Sequence, residues 1–186
     1  MKKMLLVLFM IALCASFFFI VSNRKSDLSR ESRNIDILSE LQKDRNNIAE
    51  NYPGSPKELI ELHNKIMSYL YSQKMQDEYV DLYSDTIRNL YSEDILSLNS
   101  KESQAETILL EKEENQIKMV KLLESKIEEV IYLDNENMAQ VKVLYYINSG
   151  DITRIYSLEN TSEGWKITGW NDSQIDSKEL EAYKDE

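Results

Sequence analysis

The chain is 186 residues long, enough for one modest domain with appendages and too short for a two-domain enzyme. Its formal charge is -11, and the bases Lys2, Lys3, Arg24 and Lys25 all precede the first acid, Asp27, so 18 of the 22 basic residues face all 33 acidic ones in the remainder. A field of that sign repels phosphate backbones and argues against nucleic acid as a partner, and the single cysteine, Cys14, supports neither an intrachain disulfide nor a cysteine-based zinc site.

Met4 to Val21 is an uncharged run of 18 residues flanked by Lys2-Lys3 and Arg24-Lys25. A helix of that length spans about 27 Å, near the hydrocarbon thickness of a bilayer. Residues 1–22 are therefore expected to form a single-pass anchor in the cell membrane. A cleaved signal peptide and a lipoprotein signal with Cys14 as attachment point compete with this reading. Cutting after Ala15-Ser16 leaves Phe17-Phe18-Phe19-Ile20-Val21 on the mature end, and Leu13 stands where a lipoprotein signal needs a small residue. Bases flank both ends of the run, so the positive-inside rule does not decide orientation. Two lysines abutting an apolar core have the anatomy of an export signal and place the C-terminal domain on the extracytoplasmic side; a domain on the cytoplasmic face is the alternative.

Residues 23–51 read as a polar stalk. Ile35, Leu38, Leu41 and Ile48 recur at helical spacing, which predicts a short helix over about Ile35 to Lys43 lying against the domain or a neighbour, with solvated linker as the other reading. The domain itself, 52–171, opens on Asn51-Tyr52-Pro53-Gly54-Ser55-Pro56-Lys57-Glu58. Ser55 as cap, Pro56 at the first helical position and Glu58 at the capping-box position predict a helix from Pro56 to about Ser72–Lys74, with Leu59, Leu62, Ile66 and Leu70 on its apolar face. A second helix is expected from Asp77, carrying Val80, Tyr83, Ile87, Leu90 and Tyr91. A third is expected from Asn99-Ser100 to about Leu123, with Ala105, Leu109, Ile117, Val120 and Leu123 inward and Glu111-Lys112-Glu113-Glu114 as its solvated face.

From Lys126 the period changes to alternation. Four strands follow, over Lys126–Leu133, Met138–Asn148, Ile152–Glu159 and Trp165–Asn171, separated by the turn clusters Asp134–Asn137, Ser149–Asp151 and Asn160–Gly164. The second is apolar on both faces and so reads as a central strand. In the last, alternation puts Trp165 and Ile167 on one face and Trp170 on the other. The fold class is α+β: an N-terminal transmembrane helix, then about three helices packed on one face of a four-stranded antiparallel meander. Residues 172–186 form an acidic tail.

His63 is the only histidine, so neither a histidine metal cluster nor a Ser-His-Asp triad can be assembled within the chain. Glycines at 54, 150, 164 and 169 are too dispersed for a phosphate-binding loop. Asp134–Asn137 lacks the ligand spacing of a calcium loop. No catalytic, metal-binding or cofactor-binding residue emerges. His63 sits at the edge of its helix's apolar stripe, as a half-buried residue with a hydrogen-bond partner or as a pocket contact. A small-molecule pocket, if present, belongs between the Pro56 helix and the concave side of the sheet, where His63 approaches Tyr145; these two are the candidate ligand-binding residues. The eleven tyrosines occur at core or boundary spacing.

The ending Glu163-Gly164-Trp165-Lys166-Ile167-Thr168-Gly169-Trp170, after three helices and a pair of long strands, resembles the last hairpin of the nuclear transport factor 2-like superfamily, a cone-shaped helix-and-sheet fold. Tyr52-Pro53-Gly54-Ser55-Pro56 together with the N-terminal anchor resembles an uncharacterised family of small membrane-anchored proteins from low-GC Gram-positive bacteria. The second resemblance covers nearly the whole chain and implies an address and a fold but no reaction. The first implies a cone that hosts either binding or catalysis. One departure bears on the closure of the cone: such folds commonly place a hairpin between their second and third helices, and Glu93 to Asn99 is too short for one.

These readings converge on a membrane-anchored extracytoplasmic binding or accessory module, non-catalytic, with a protein partner at the cell surface. A small-molecule enzyme or ligand pocket in a cone fold and a structural subunit of a membrane complex are the alternatives. A concave pocket with convergent polar groups favours the cone-pocket reading, and an exposed tyrosine-rich patch the protein-binding ones. For topology, protease added to intact protoplasts is expected to digest Asp27 to Glu186 while cytoplasmic markers survive; sparing until lysis reverses the orientation.

Overall fold

In the computed structural model the described residues are 36–133 and 137–174, the side chains of 173 and 174 excepted. The apolar run, the first part of the stalk, Asp134 to Glu136 of the first turn cluster and the tail beyond 174 lie outside them. No helix among the described residues is long and apolar enough to cross a membrane. The order is α1 (Ile37–Glu50), α2 (Pro56–Leu70), a 3-10 turn (Asp77–Tyr79) leading into α3 (Val80–Arg88), α4 (Glu93–Leu98), α5 (Lys101–Ile117), then β1 (Leu122–Leu133), β2 (Met138–Ile147), β3 (Gly150–Thr161) and β4 (Gly164–Gln174). The strands form one antiparallel meander in the order β1-β2-β3-β4, with β2 central as its two apolar faces required.

The residues read as stalk supply α1, which is longer than the predicted helix and part of the fold. It buries Ile37, Leu41 and Ile48, and Asp44 on the same stripe is only 4% exposed. A buried carboxylate persists only when answered. Asp44 Oδ1 accepts from Lys65 Nζ at 2.6 Å and Oδ2 from the Tyr69 hydroxyl at 2.9 Å, so α1 is latched onto α2. The start of α2 is as predicted, with Ser55 Oγ accepting from the Glu58 amide at 3.2 Å. The Glu58 carboxylate reaches past the cap to the Gly54 amide at 2.9 Å, a variant of the capping box. The helix ends at Leu70, a few residues before the predicted stop.

The third predicted helix starts where expected but ends early, and a short helix that the sequence reading did not place precedes it. Ser92 caps the short α4 and Ser100 caps α5, which stops at Ile117. The stop is a Schellman turn: Met119 adopts φ 52°, Val120 N–H donates to Asn115 O at 2.8 Å, and Met119 N–H to Gln116 O at 3.3 Å. Asn148, from the β2–β3 turn, clamps it by accepting from the Lys121 amide at 2.9 Å and donating to Met119 O at 2.9 Å. The chain then enters β1 at Leu122, earlier than predicted. Ile117 and Leu123, expected inside, are therefore exposed, while α5 buries Ile108, Lys112 and Asn115. Lys112 is reassigned from the solvated face: its ammonium pairs with Asp77.

On the sheet's inner face lie Ala139, Val141, Val143, Tyr145 and Ile147 of β2, opposite Leu158, Tyr156, Arg154, Ile152 and Gly150 of β3. β4 departs from strict alternation. Leu158 pairs with Ile167 but Ser157 with Gly169, so Thr168 is an extra residue. Such a bulge shifts the parity of everything beyond it. Trp170 accordingly lies on the same face as Trp165 and Ile167, which corrects the expected opposite placement. The backbone of Leu90 to Ser92 adds to the edge of β4: Ile167 N–H donates to Leu90 O and Ser92 N–H to Ile167 O, both at 2.9 Å. This junction fixes Tyr91 above the inner face.

The two motifs noted at the opposite ends of the domain meet in space. The Tyr52 hydroxyl donates to Trp165 O at 2.8 Å, and a Cβ on Gly164 would lie 3.0 Å from Tyr52 Cδ1. Gly164 also has φ +101°, so the turn into β4 demands glycine twice over. Trp165 itself is buried, edge-on to Tyr132 with ring centroids 6.1 Å apart. Truncating such a side chain costs about 3 to 5 kcal/mol, a large part of a small domain's stability. Trp165→Ala is expected to lower the urea midpoint sharply or unfold the domain; an unchanged curve overturns the packing described.

Candidate functional site

Between the helices and the inner face of β3 and β4 lies a cavity of about 330 Å³. Helical periodicity brings His63, Met67 and Leu70 of α2 and Tyr83 and Ile87 of α3 to its walls. The Leu90–Ser92 junction supplies Tyr91, α5 supplies Thr107, Ile108 and Glu111, and the sheet supplies Arg154 and Trp170. Trp170 is 42% exposed and stands at the mouth. Without the β4 bulge it would face away.

Arg154 organises the floor. Its guanidinium grips Asp172 through Nε and through Nη2 at 2.7 Å. The same group lies 5.6, 5.8 and 5.8 Å from the ring centroids of Tyr145, Tyr156 and Trp170, within cation–π range. Burial works against its charge, but the Asp172 carboxylate and the Tyr156 hydroxyl outweigh that and hold its pKa above the ordinary value.

His63 is more deeply placed than a half-buried helix position, with 3% exposure. Its Nε2 lies 3.3 Å from the Tyr91 hydroxyl, its ring is edge-on to Tyr156 with centroids 5.2 Å apart, and Nδ1 has no hydrogen-bond partner among the described residues. Burial first, and then the positive charge of Arg154, push its pKa down to about 3, against a smaller opposing effect of Asn64. The ring is therefore neutral at physiological pH. Tyr145 does not line the cavity. Its hydroxyl donates to Asn64 Oδ1 and lies 2.7 Å from that of Tyr156, one layer behind His63. The two candidate residues are thus joined through Tyr156 and not face to face.

Sequence reasoning missed Arg154, Trp170 and Glu111. Glu111, read as part of a solvated face, is indeed exposed but also lines the cavity, and the surrounding protein raises its pKa despite the opposing effect of Arg154. The tyrosine hydroxyls are likewise suppressed as acids: burial raises Tyr71 to about 12 and moves Tyr83 and Tyr91 upward as well. Among the described residues no group of His, Cys, Asp and Glu is arranged to hold a metal ion.

The depressed pKa of His63 has a consequence for stability. Between the unfolded value of 6.5 and the folded value of about 3, the unfolded chain binds a proton that the native ring refuses. The fold thus loses stability as pH falls through that window, by up to about 1.4 kcal/mol per pH unit. Urea unfolding of the wild type at about pH 7.5 and about pH 5.5 is expected to show this loss, and His63→Gln to show less of it; equal losses would remove the buried neutral ring.

No curated protein matches the chain. Among solved structures, it is similar to a domain of unknown function with a cystatin-like fold from Nostoc punctiforme, with TM-score 0.46 and 14% identity over 69% of this chain and 83% of that one. It is also similar to the NTF2-like potential transfer protein TraM from the Gram-positive conjugative plasmid pIP501, with TM-score 0.40 and 14% identity over 64% of this chain and 96% of that one. The match to a protein-family model is far more extensive, running over residues 1–170 and so taking in the N-terminal apolar run. The chain belongs to the family described as Domain of unknown function (DUF6715).

Proposed function

We propose that this protein is a small-molecule binding module of cone-like α+β fold, held at the extracytoplasmic face of the cell membrane by residues 1–22. The observation that carries the binding assignment is the cavity of about 330 Å³, where aromatic and aliphatic walls converge with His63, Glu111 and Arg154. Mostly apolar walls with a few placed polar groups are the general form of a ligand site. The tyrosines support this choice over a tyrosine-rich docking patch: Tyr69, Tyr83, Tyr91, Tyr145 and Tyr156 are all buried. Binding is preferred to catalysis because Arg154 is engaged with Asp172 and His63 with Tyr91. Neither pair joins a nucleophile to a base.

A protein-docking role is favoured by a different observation. On the outer face of the sheet Ile131, Leu133, Met138 and Ile155 are each about 40% exposed. The two readings separate in one variant. Ile108, buried against the cavity, is expected as Ile108→Phe to fill it without altering the outer face. Full-length protein in detergent, incubated with a metabolite extract and examined by native mass spectrometry, should retain a low-mass compound. The variant should bind it at least about tenfold more weakly at a similar thermal midpoint. Equal retention by both sinks the cavity assignment, and equal capture of a protein partner with no small-molecule adduct transfers the function to the outer face.

A further inference from the structure

The two charged groups that line the cavity are in different states. Arg154 is answered by the Asp172 carboxylate through both arms of its guanidinium, and its faces are taken by aromatic rings. Glu111 has no such partner: what acts on its carboxyl is burial and the more distant charges of Arg154 and Glu114, with no hydrogen bond from any described residue. It nevertheless faces the same space as Tyr71, Tyr83 and Tyr91, each of which feels its charge. Glu111 is exposed to solvent yet lines the cavity, and its carboxylate is the one charged group of the lining that no described residue pairs.

An anionic guest fits poorly. To reach Arg154 it must displace Asp172, and it must then sit beside Glu111 in a chain whose formal charge is -11. That field instead concentrates cations at the surface. A neutral guest fills the apolar volume but makes no ion pair with Glu111. A cation meets the carboxylate, and the aromatic rings of the lining attract it further.

We propose that the cavity takes a small organic ammonium compound, a protonated amine on an apolar or aromatic body, with the charged nitrogen paired to Glu111 and the body against Tyr83, Tyr91 and Trp170. The assignment rests on the small-molecule reading above and narrows it to one chemical class.

Three probes of similar shape test it: phenethylamine, phenethyl alcohol and phenylpropionate, titrated into the full-length protein in detergent. The indole N–H resonance of Trp170 at the mouth reports binding, and that of Trp165, packed away from the cavity on Tyr132, serves as the reference. Phenethylamine is expected to shift the Trp170 signal with an affinity about tenfold or more above that of the alcohol, and phenylpropionate to leave it unmoved. Glu111→Gln should bring the amine down to the affinity of the alcohol without changing the alcohol's own. Phenylpropionate binding as tightly as the amine, or Glu111→Gln leaving the amine untouched, overturns the ammonium class and leaves the pocket standing. No Trp170 shift from any of the three overturns the class and the small-molecule reading together.

Discussion

A guanidinium inside an α+β core has to be answered, and the answer given to Arg154 shapes everything around it. Its charge is matched by Asp172 on the neighbouring strand and its faces by Tyr145, Tyr156 and Trp170. Cross-strand pairing of Arg154 with Asp172 is possible only where β3 and β4 hold this register. The electrostatic requirement and the strand alignment therefore support each other. The hydroxyl chain from Arg154 through Tyr156 and Tyr145 to Asn64 carries the same ordering into α2, and the charge of Arg154 helps keep His63 neutral. A cavity persists here because its floor is built from mutually satisfied polar groups, which resist collapse in a way a purely aliphatic floor would not.

The bulge at Thr168 is the second constraint. Had β4 alternated strictly, Trp170 would point outward, the mouth of the cavity would lack its aromatic side and Asp172 would fall on the wrong face for Arg154. The Leu90–Ser92 junction on β4 performs a related service on the helical side. It closes part of a sheet edge that would otherwise present unpaired backbone groups, and it seats Tyr91 against His63. The short α4 follows this junction and places Ile95 on the cavity wall.

Helix α1 belongs to the domain and not to a free linker. Its Asp44 is buried against Lys65 and Tyr69, and Glu40 joins the same lysine at 3.2 Å. A flexible stalk has no reason to bury a carboxylate; a docked helix does, because the latch specifies where it sits.

The sequence by itself determined the elements whose cause is local. Ser55, Pro56 and Glu58 set the start of α2 through short-range hydrogen bonds, alternation laid out β2 and β3, and turn residues separated four strands in a meander. The N-terminal apolar run and the acid excess are equally legible, since length and charge are additive properties of a chain. What only the tertiary structure decided are features whose causes lie far apart in the chain. Asn148 and the Schellman turn at Met119 end α5 early; the extra residue at Thr168 reverses the parity of Trp170; Asp44 and Lys112 are buried because distant partners answer them. The candidate site followed the same division. His63 was visible as the lone histidine on an apolar face, whereas Arg154 and Glu111 looked like any other surface charges, because a charge declares itself as buried or unpaired only once the groups around it are in place.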